Sequence, residues 1–377
     1  MTIGILGGGQ LGYMLALAGY PLDFHFRFLD PSPQAPVGRI AARVTAEYTD
    51  FEALEKFAHG LALVTYEFEN VPVEAARFLQ KLVPVYPQPQ ALETAQDRLA
   101  EKALFRKLGI PVTEFAEVNS AEELQEAIRQ FGLPSLLKTC RLGYDGKGQW
   151  VLRTQEDVER AKKELPAVPL ILEKFVNFSR ELSILAVRSR SGETAFYPLV
   201  ENHHRGGILR LSLAPAPRLT ETLQRAAEEA VRHVMETLDY VGVLAIELFE
   251  CDGKLLANEM APRVHTSGHW SIEGAVTSQF ENHLRAVAGL PLGETSTIGH
   301  SAMLNLIGEV PDSAELLVVP DAHLHLYGKS LRPGRKVGHV TLRADSADLL
   351  VKRGSQLPAF FHREEFCLER LSVKLAK

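Results

Sequence analysis

The 377-residue chain is longer than one hydrophobic core usually supports, which predicts two or three domains. Its composition is ordinary for a globular protein, 46% hydrophobic and 23% charged, and a net charge of -6 with no run of Lys and Arg argues against a nucleic-acid surface. No apolar stretch approaches the ~20 residues that cross a bilayer, and Met1 leads straight into a strand-like run with no signal peptide, so a cytoplasmic protein with small-molecule partners is expected.

The first 90 residues alternate strand-like and helical runs: Thr2 to Leu6, Gln10 to Ala18, Phe24 to Leu29, Phe51 to Ala58, Ala62 to Glu67 and Pro72 to Leu82. This is a doubly wound α/β pattern. Pro84, Pro87 and Pro89 punctuate the chain as a boundary, and a charged helix from Ala91 to Leu108 follows, ended by Gly109 and Pro111. Residues 111 to 176 read as a small α+β subdomain with helices at Ala121 to Phe131 and Glu156 to Leu165. Beyond it come longer strands, Glu181 to Arg188 and Ala195 to Asn202, then a helix from Thr220 to Leu238 and a hairpin at 244 to 261. A helix from Glu273 to Ala288 follows, and short antiparallel strands at Ser301 to Ile307, His323 to Tyr327 and Gly338 to Arg343 suggest a compact cap. Cys140, Cys251 and Cys367 are odd in number and far apart, as expected of reduced thiols without a role.

Gly7-Gly8-Gly9-Gln10-Leu11-Gly12 follows the first strand and opens the first helix, and Asp30 ends the next strand. The spacing matches the dinucleotide fingerprint, which also occurs in domains that bind other phosphorylated ligands or none. A nicotinamide-dependent dehydrogenase or a non-catalytic nucleotide sensor therefore stays open. A second glycine-rich stretch, Arg141 to Gln149, contains Gly143, Gly146 and Gly148. Its backbone donors and Lys147 could fold over phosphate oxygens, or it could be a surface turn. It is no Walker loop, because no Gly-Lys-Ser/Thr opens a helix there. Lys138, inside the apolar run Leu136-Leu137-Lys138, needs an anion such as phosphate if it is buried; otherwise it snorkels from an exposed face.

The hairpin carries Glu247 on one arm and Asn258-Glu259 on the other, joined at Asp252-Gly253. If its loop is the three residues Asp252, Gly253 and Lys254, then Cys251 faces Leu255 and Glu247 faces Glu259, about 5 Å apart on one face and able to grip one hard cation. A two-residue loop would oppose Glu247 to Asn258 and turn Glu259 away. A solvated acidic edge is the alternative, disfavoured by the apolar run around Glu247. Arg263 and His265, with His269 ranked below them, follow at once and could bind an acidic intermediate and move protons. Lys329, Arg332, Arg335 and Lys336 pack four cations into eight residues, suited to a phosphate or carboxylate or else a solvated turn.

In this order the strings Gly7 to Gly12, Tyr66-Glu67-Phe68-Glu69-Asn70-Val71, Gln96-Asp97-Arg98, Gly143 to Gln149, Asn258 to Arg263 with Ser267 to Trp270, and Arg332 to His339 resemble the ATP-grasp superfamily over nearly the whole chain. Within it they look like the ATP-dependent carboxylases of purine synthesis, the N5-carboxyaminoimidazole ribonucleotide synthetases. Val264, Thr266 and Tyr13 stand where that family usually has Pro, Asn and Arg.

The resemblance implies an ATP-grasp fold: an N-terminal Rossmann-like domain (1–90), an ATP-grasp domain (91–290) with a lid subdomain at about 111–176, and a small β-rich C-terminal domain (291–377). It implies that Arg98, Lys138 and Gly143, Tyr144, Asp145, Gly146, Lys147, Gly148 and Gln149 hold the ATP phosphates. Glu173, Lys174, Phe175, Val176 and Glu181 would meet adenine and ribose, with His204 nearby. Glu247 and Glu259 would carry Mg²⁺, or Mn²⁺ in its place, with Asn258 beside them. Ser32, Glu69, Tyr144, Lys329, Arg332, Arg335 and Lys336 would hold the ribonucleotide, while Asp145, Arg263 and His265, with Lys147, would line the reacting carboxyl group. The implied reaction is ATP- and bicarbonate-dependent carboxylation of 5-aminoimidazole ribonucleotide by a homodimer, with Asp145 or His265 taking the amine proton. The nearest alternative is a formate-using glycinamide ribonucleotide transformylase.

Overall fold

The computed structural model describes residues 1–143 and 148–375. Strands β1 (Thr2–Leu6), β2 (His25–Leu29), β3 (Ala42–Val44) and β4 (Leu63–Tyr66) form a parallel sheet in the order β3-β2-β1-β4. Helices α1 (Gln10–Gly19), α2 (Phe51–Ala58) and α3 (Val73–Gln80) connect and flank it. Both faces of this sheet are covered, which is why β1 and β4 read as near-continuous apolar runs.

The predicted helix from Ala91 to Leu108 is two helices, α4 (Pro89–Ala95) and α5 (Arg98–Lys107). Asp97 breaks it: its carboxylate accepts from the Leu99 and Ala100 amides at 3.0 and 3.3 Å, an N-cap that starts a new helix where periodicity alone would continue the old one. The break makes Arg98 the first residue of α5.

Residues 115–174 form the small subdomain: β5 (Phe115–Val118), α6 (Ala121–Phe131), β6 (Ser135–Thr139), β7 (Gln149–Leu152), α7 (Gln155–Lys163) and β8 (Leu170–Lys174). Its antiparallel sheet runs β5-β8-β6-β7 over a core of its own that includes Leu124, Ile128, Leu137 and Leu172.

The rest of the chain supplies β9 (Arg180–Arg188), β10 (Thr194–Phe196), β11 (Val200–Arg205), β12 (Ile208–Ala214), α8 (Glu221–Thr237), β13 (Gly242–Cys251) and β14 (Lys254–Ala261). These are followed by α9 (Ser271–Gly274), α10 (Gln279–Ala288), β15 (His300–Ile307), α11 (Ser313–Leu317), β16 (Ala322–Leu326), β17 (Lys336–Ala344), α12 (Ala347–Ser355) and α13 (Glu369–Leu375). The strand expected from Ala195 to Asn202 is split at Pro198, which has no amide to give a ladder. The helix expected from Glu273 to Ala288 is split before Ser278, whose hydroxyl caps α10.

One nine-stranded sheet unites this half in the order β14-β13-β9-β11-β12-β15-β17-β16, with β10 also on β9. The C-terminal strands therefore extend the central sheet through β12, while α11, α12 and α13 give that end its own core around Leu304, Leu342 and Phe361. On one face of the central strands α8 covers Ile184, Leu244 and Ile246. On the other, Leu185, Val243 and Ala245 share a core with α10 and with Leu11, Leu15 and Phe26 of the N-terminal unit. Among the described residues no helix is long and apolar enough to cross a membrane.

The last helix is tied to the central sheet by a buried charge. Glu201 on β11 lies 2.9 Å from Lys374 Nζ, 3.2 Å from His203 Nε2 and 3.3 Å from Arg180 Nη1. Burial works to raise its pKa, but hydrogen bonds from His203 and Lys374 prevail and hold it at about 2. A carboxylate depressed in this way stabilises the fold above the ordinary carboxylate range and loses that contribution as pH falls toward 2. Glu201→Ala, which takes the buried anion away from Lys374 and Arg180, is expected to cost about 3 kcal/mol, read as a lower midpoint in thermal unfolding.

Candidate active site

Glu247 and Glu259 do face each other across β13 and β14, by a route different from the one expected. Cys251 pairs with Lys254, so the turn is the two residues Asp252 and Gly253, with φ of 49° and 73°, the left-handed pair of a type I′ hairpin. Left alone, that register would oppose Glu247 to Asn258. Instead the ladder shifts between Leu248↔Ala257 and Glu247↔Glu259, leaving Asn258 as the extra residue of a β-bulge. Ala257 and Met260 consequently point to the same core although three residues apart, and Glu259 joins Ala261 on the opposite face.

β14 is the sheet edge; the Ala257 amide donates to the Pro111 carbonyl at 2.7 Å, and α5 meets the groups on either side of Glu259. Glu101 accepts from the Met260 amide at 2.5 Å, and Lys102 donates to the Asn258 carbonyl at 3.1 Å. One turn earlier, Arg98 Nη1 reaches Glu259 Oε2 at 2.8 Å. The 3–4 residue spacing of Arg98, Glu101 and Lys102 puts all three on one helix face, directed at the bulge. Sequence reading missed Glu101 and Lys102; a buried Lys102 on an otherwise polar helix is the signal it lacked.

The carboxylate pair opens into a cavity of about 420 Å³ between the small subdomain, the central sheet and the N-terminal unit. Its wall includes Glu69, Arg98, Lys138, Gly143, Gln149, Glu173, Lys174, Phe175, Val176, Glu181, His204, Glu247, Asn258, Glu259, Arg263, His265 and Lys336. Most expected site residues thus converge on one space. Phe178 and Phe249, stacked with ring centroids 4.5 Å apart, also line it and were not anticipated. Tyr144, Asp145, Gly146 and Lys147 lie outside the described residues.

Five expected residues, and His269 with them, are not in the wall. Gly148 immediately precedes β7 with φ of 68°, and a Cβ there would meet Thr139 Oγ1 at 2.7 Å. Ser32 is an exposed turn residue after β2, its amide on Asp30 Oδ1 at 2.7 Å. Lys329 instead donates to Gln10 at the start of α1. Arg332 is exposed, and Arg335 donates to Ser330 Oγ at 2.6 Å. His269 is fully buried against Phe280 and His339.

Lys138 is buried and has its anion: Nζ lies 2.9 Å from Glu173 Oε2, while Lys102 approaches Glu173 Oε1 at 3.4 Å. Glu173 therefore anchors two lysines, in addition to lining the cavity. His204 Nδ1 and Glu181 Oε2 are 2.7 Å apart. Arg263 donates through Nε to Glu69.

The two facing carboxylates are electrostatically unlike. Burial first, then the charge of Glu259, pushes Glu247 up to about 7. At Glu259 loss of water works upward, but Arg98 and then Lys138 overcome it and hold it at about 2. Such a like-charge pair is what a divalent cation relieves. Among the described residues no three His, Cys, Asp or Glu side chains are grouped to hold a metal, so a cation here would have two carboxylates and oxygens from elsewhere. Burial, then Arg263 and Lys336, push His265 down to about 3, leaving its ring neutral near pH 7.

The first glycine-rich loop is engaged by the chain itself. Gly8 donates to Asp30 Oδ2 at 2.6 Å, and Glu67 accepts from Gly9 at 2.6 Å and Gly12 at 2.9 Å. A Cβ on Gly9 would sit 2.4 Å from Glu67 Oε1. The glycines make room for a carboxylate where a dinucleotide pyrophosphate would lie, so the nicotinamide reading fails on geometry.

Three domain descriptions match in the corresponding order: ribonucleotide synthetase preATP-grasp domain over residues 1–96, ATP-grasp domain over 103–280, and phosphoribosylaminoimidazole carboxylase C-terminal domain over 301–353. The N5-carboxyaminoimidazole ribonucleotide synthase of Pseudomonas aeruginosa is 57% identical over 93% of this chain and 96% of its own. The chain belongs to the N5-carboxyaminoimidazole ribonucleotide synthase family. The synthetase crystal structure from Thermus thermophilus superposes on this family member with a TM-score of 0.91 at 61% identity, covering 94% of this chain and 97% of the other. The family's enzyme from Aspergillus clavatus, solved with ADP and 5-aminoimidazole ribonucleotide, gives 0.88 at 32% identity over 98% of both chains.

With the loop amides taken by Asp30 and Glu67, NAD is expected to leave the thermal midpoint of this family member unchanged, whereas ATP with Mg²⁺ raises it. A midpoint raised by NAD would contradict the geometry.

Proposed function

We propose that the chain carboxylates 5-aminoimidazole ribonucleotide to N5-carboxyaminoimidazole ribonucleotide, consuming ATP and bicarbonate and releasing ADP and phosphate. The observation that carries this reading is the facing pair Glu247 and Glu259, set beneath Arg98 and Lys138 in one cavity. Bicarbonate is a poor carboxyl donor until an oxygen is phosphorylated, and phosphoryl transfer is mostly positioning and neutralisation of charge.

In this reading Arg98, Lys138 and the 143–149 loop with Lys147 hold the phosphates. Glu173 keeps Lys138 aimed while Lys174, Phe175, Val176, Glu181 and His204 receive adenine and ribose. Mg²⁺, or Mn²⁺ in its place, bound at Glu247 and Glu259 with Asn258 beside them, would supply positive charge to the phosphate oxygens. Arg263, fixed by Glu69, and His265 face the carboxyl group, and Asp145 takes the amine proton. Lys329, Arg332, Arg335, Lys336 and Ser32 belong to the ribonucleotide end. Closure of the lid at about 111–176 keeps water from carboxyphosphate or the CO₂ released from it. The division into 1–90, 91–290 and 291–377, and a homodimer, belong to the same reading on the strength of the family resemblance.

The test is an ADP-release assay: release is expected only when bicarbonate and the aminoimidazole ribonucleotide are present together, or much faster then. Release driven instead by formate and glycinamide ribonucleotide would assign the transformylase. Glu247→Gln and Glu259→Gln are each expected to lower kcat by about 10²-fold, the scale seen when one transition-state charge partner is lost.

Burial pushes Lys329 down to about 8, so its charge is present below pH 8 and lost above it. If Lys329 meets the substrate phosphate, kcat/KM for the ribonucleotide falls about tenfold per pH unit above 8, since that ratio reports the free enzyme. A profile flat through that range would remove Lys329 from the phosphate.

A further inference from the structure

His265 is held by a hydrogen-bonded chain that no part of the proposed reaction has yet used. The Ser267 amide donates to His265 Nδ1 at 3.4 Å, and Ser267 Oγ lies 2.9 Å from the same nitrogen. Behind it Ser183 Oγ is 2.8 Å from Ser267 Oγ, Asn202 Nδ2 is 3.0 Å from Ser183 Oγ, and Ser212 Oγ is 2.7 Å from Asn202 Oδ1. Ser183, Ser212 and Ser267 are 0% exposed and Asn202 3%. Ser183, Asn202 and Ser212 sit on β9, β11 and β12, and Asn202 and Ser212 are direct ladder partners, so the chain is keyed to the register of the central sheet.

Hydroxyls and amides can reverse the sense of such a chain, but a backbone N–H cannot. A proton on His265 Nδ1 would set two N–H groups against each other at the Ser267 amide. Nδ1 is therefore an acceptor, Ser267 Oγ donates to it, Ser183 donates to Ser267, and Asn202 to Ser183. Gln279 fixes the backbone of the same residue, its side chain accepting from the His265 amide at 2.8 Å and donating to the His265 carbonyl at 2.7 Å. The remaining ring nitrogen, Nε2, faces the cavity 3.4 Å from Glu247 Oε1.

We propose that the chain Ser212, Asn202, Ser183, Ser267 is a positioning device that locks His265 with its proton on Nε2. His265 then meets the reacting carboxyl group as a hydrogen-bond donor and is not the base that takes the amine proton. The role at the carboxyl group rests on the carboxylase reading; the tautomer does not. Satisfying buried polar groups alone would explain the four side-chain hydrogen bonds but not why the Ser267 amide and hydroxyl both meet one nitrogen of a cavity-lining ring.

The tautomer is read by ¹⁵N-histidine NMR of the full chain, using the long-range ring correlations that disappear in His265→Asn. The parent protein is expected to show a protonated Nε2 and a bare Nδ1. Ser267→Ala is expected to mix the tautomers and lower kcat for carboxylation roughly tenfold to a hundredfold, with KM for ATP within about twofold, and Ser267→Thr to restore most of the rate. A proton on Nδ1 in the parent spectrum overturns the proposal, as does full kcat in a folded Ser267→Ala. Should that variant fail to fold, the parent spectrum still decides. A parent without carboxylase activity would remove the proposed function while leaving the tautomer to the spectrum.

Discussion

One unpaired residue in an edge strand governs the site. A tight hairpin at Asp252-Gly253 sets a register in which Glu259 would turn toward the apolar face under α8, where an ionised carboxylate is costly. The bulge at Asn258 adds one residue to β14 and moves everything after it to the other face. Glu259 comes level with Glu247, and Arg263 and His265 follow it into the cavity. A bulge leaves strand groups unpaired, and here α5 supplies the partners through Lys102 at the Asn258 carbonyl and Glu101 at the Met260 amide. The distortion is held by the helix that also contributes Arg98.

The electrostatics follow from that arrangement. Two carboxylates opposed on one face cannot both ionise freely, and Arg98 decides between them by bonding Glu259. Glu247 is left near neutrality, so the pair is matched to a cation more than to solvent. Lys138 and Lys102 are themselves buried, and Glu173 makes their charges tolerable by binding both. The cavity wall is thus built from charges that compensate one another in pairs, with a cationic side toward the small subdomain and an acidic side at the hairpin.

Much of this was legible in the sequence because it depends on local pattern. The period-2 and period-3.6 runs located most strands and helices, and the strings around Arg98, Lys138, Glu247, Glu259 and Arg263 identified residues that do converge. What the sequence concealed depends on competition between local rules. Asp97 could continue a charged helix or cap a new one, and capping prevailed. Glu247 and Glu259 could be aligned by a three-residue loop or by a two-residue turn with a bulge, and both give the same pairing, so the correct opposition was reached from the wrong turn. The phase slip of the apolar positions Ala257 and Met260 was the readable sign of the bulge.

The glycine-rich start shows the limit most sharply. Glycines report that a backbone is closely approached; they do not say by what. At Gly8, Gly9 and Gly12 the approaching groups are Asp30 and Glu67, which lie 22, 58 and 55 residues away in sequence. The positive end of α1 is therefore neutralised from within, and a fold that elsewhere binds dinucleotides has that site closed. Lys329 reaches the same helix start through Gln10, which ties the C-terminal strands to the N-terminal sheet at the point where the pyrophosphate would have lain. The glycine string thus records contacts internal to the fold, two carboxylates on backbone amides with a lysine beside them, and carries no information of its own about a dinucleotide.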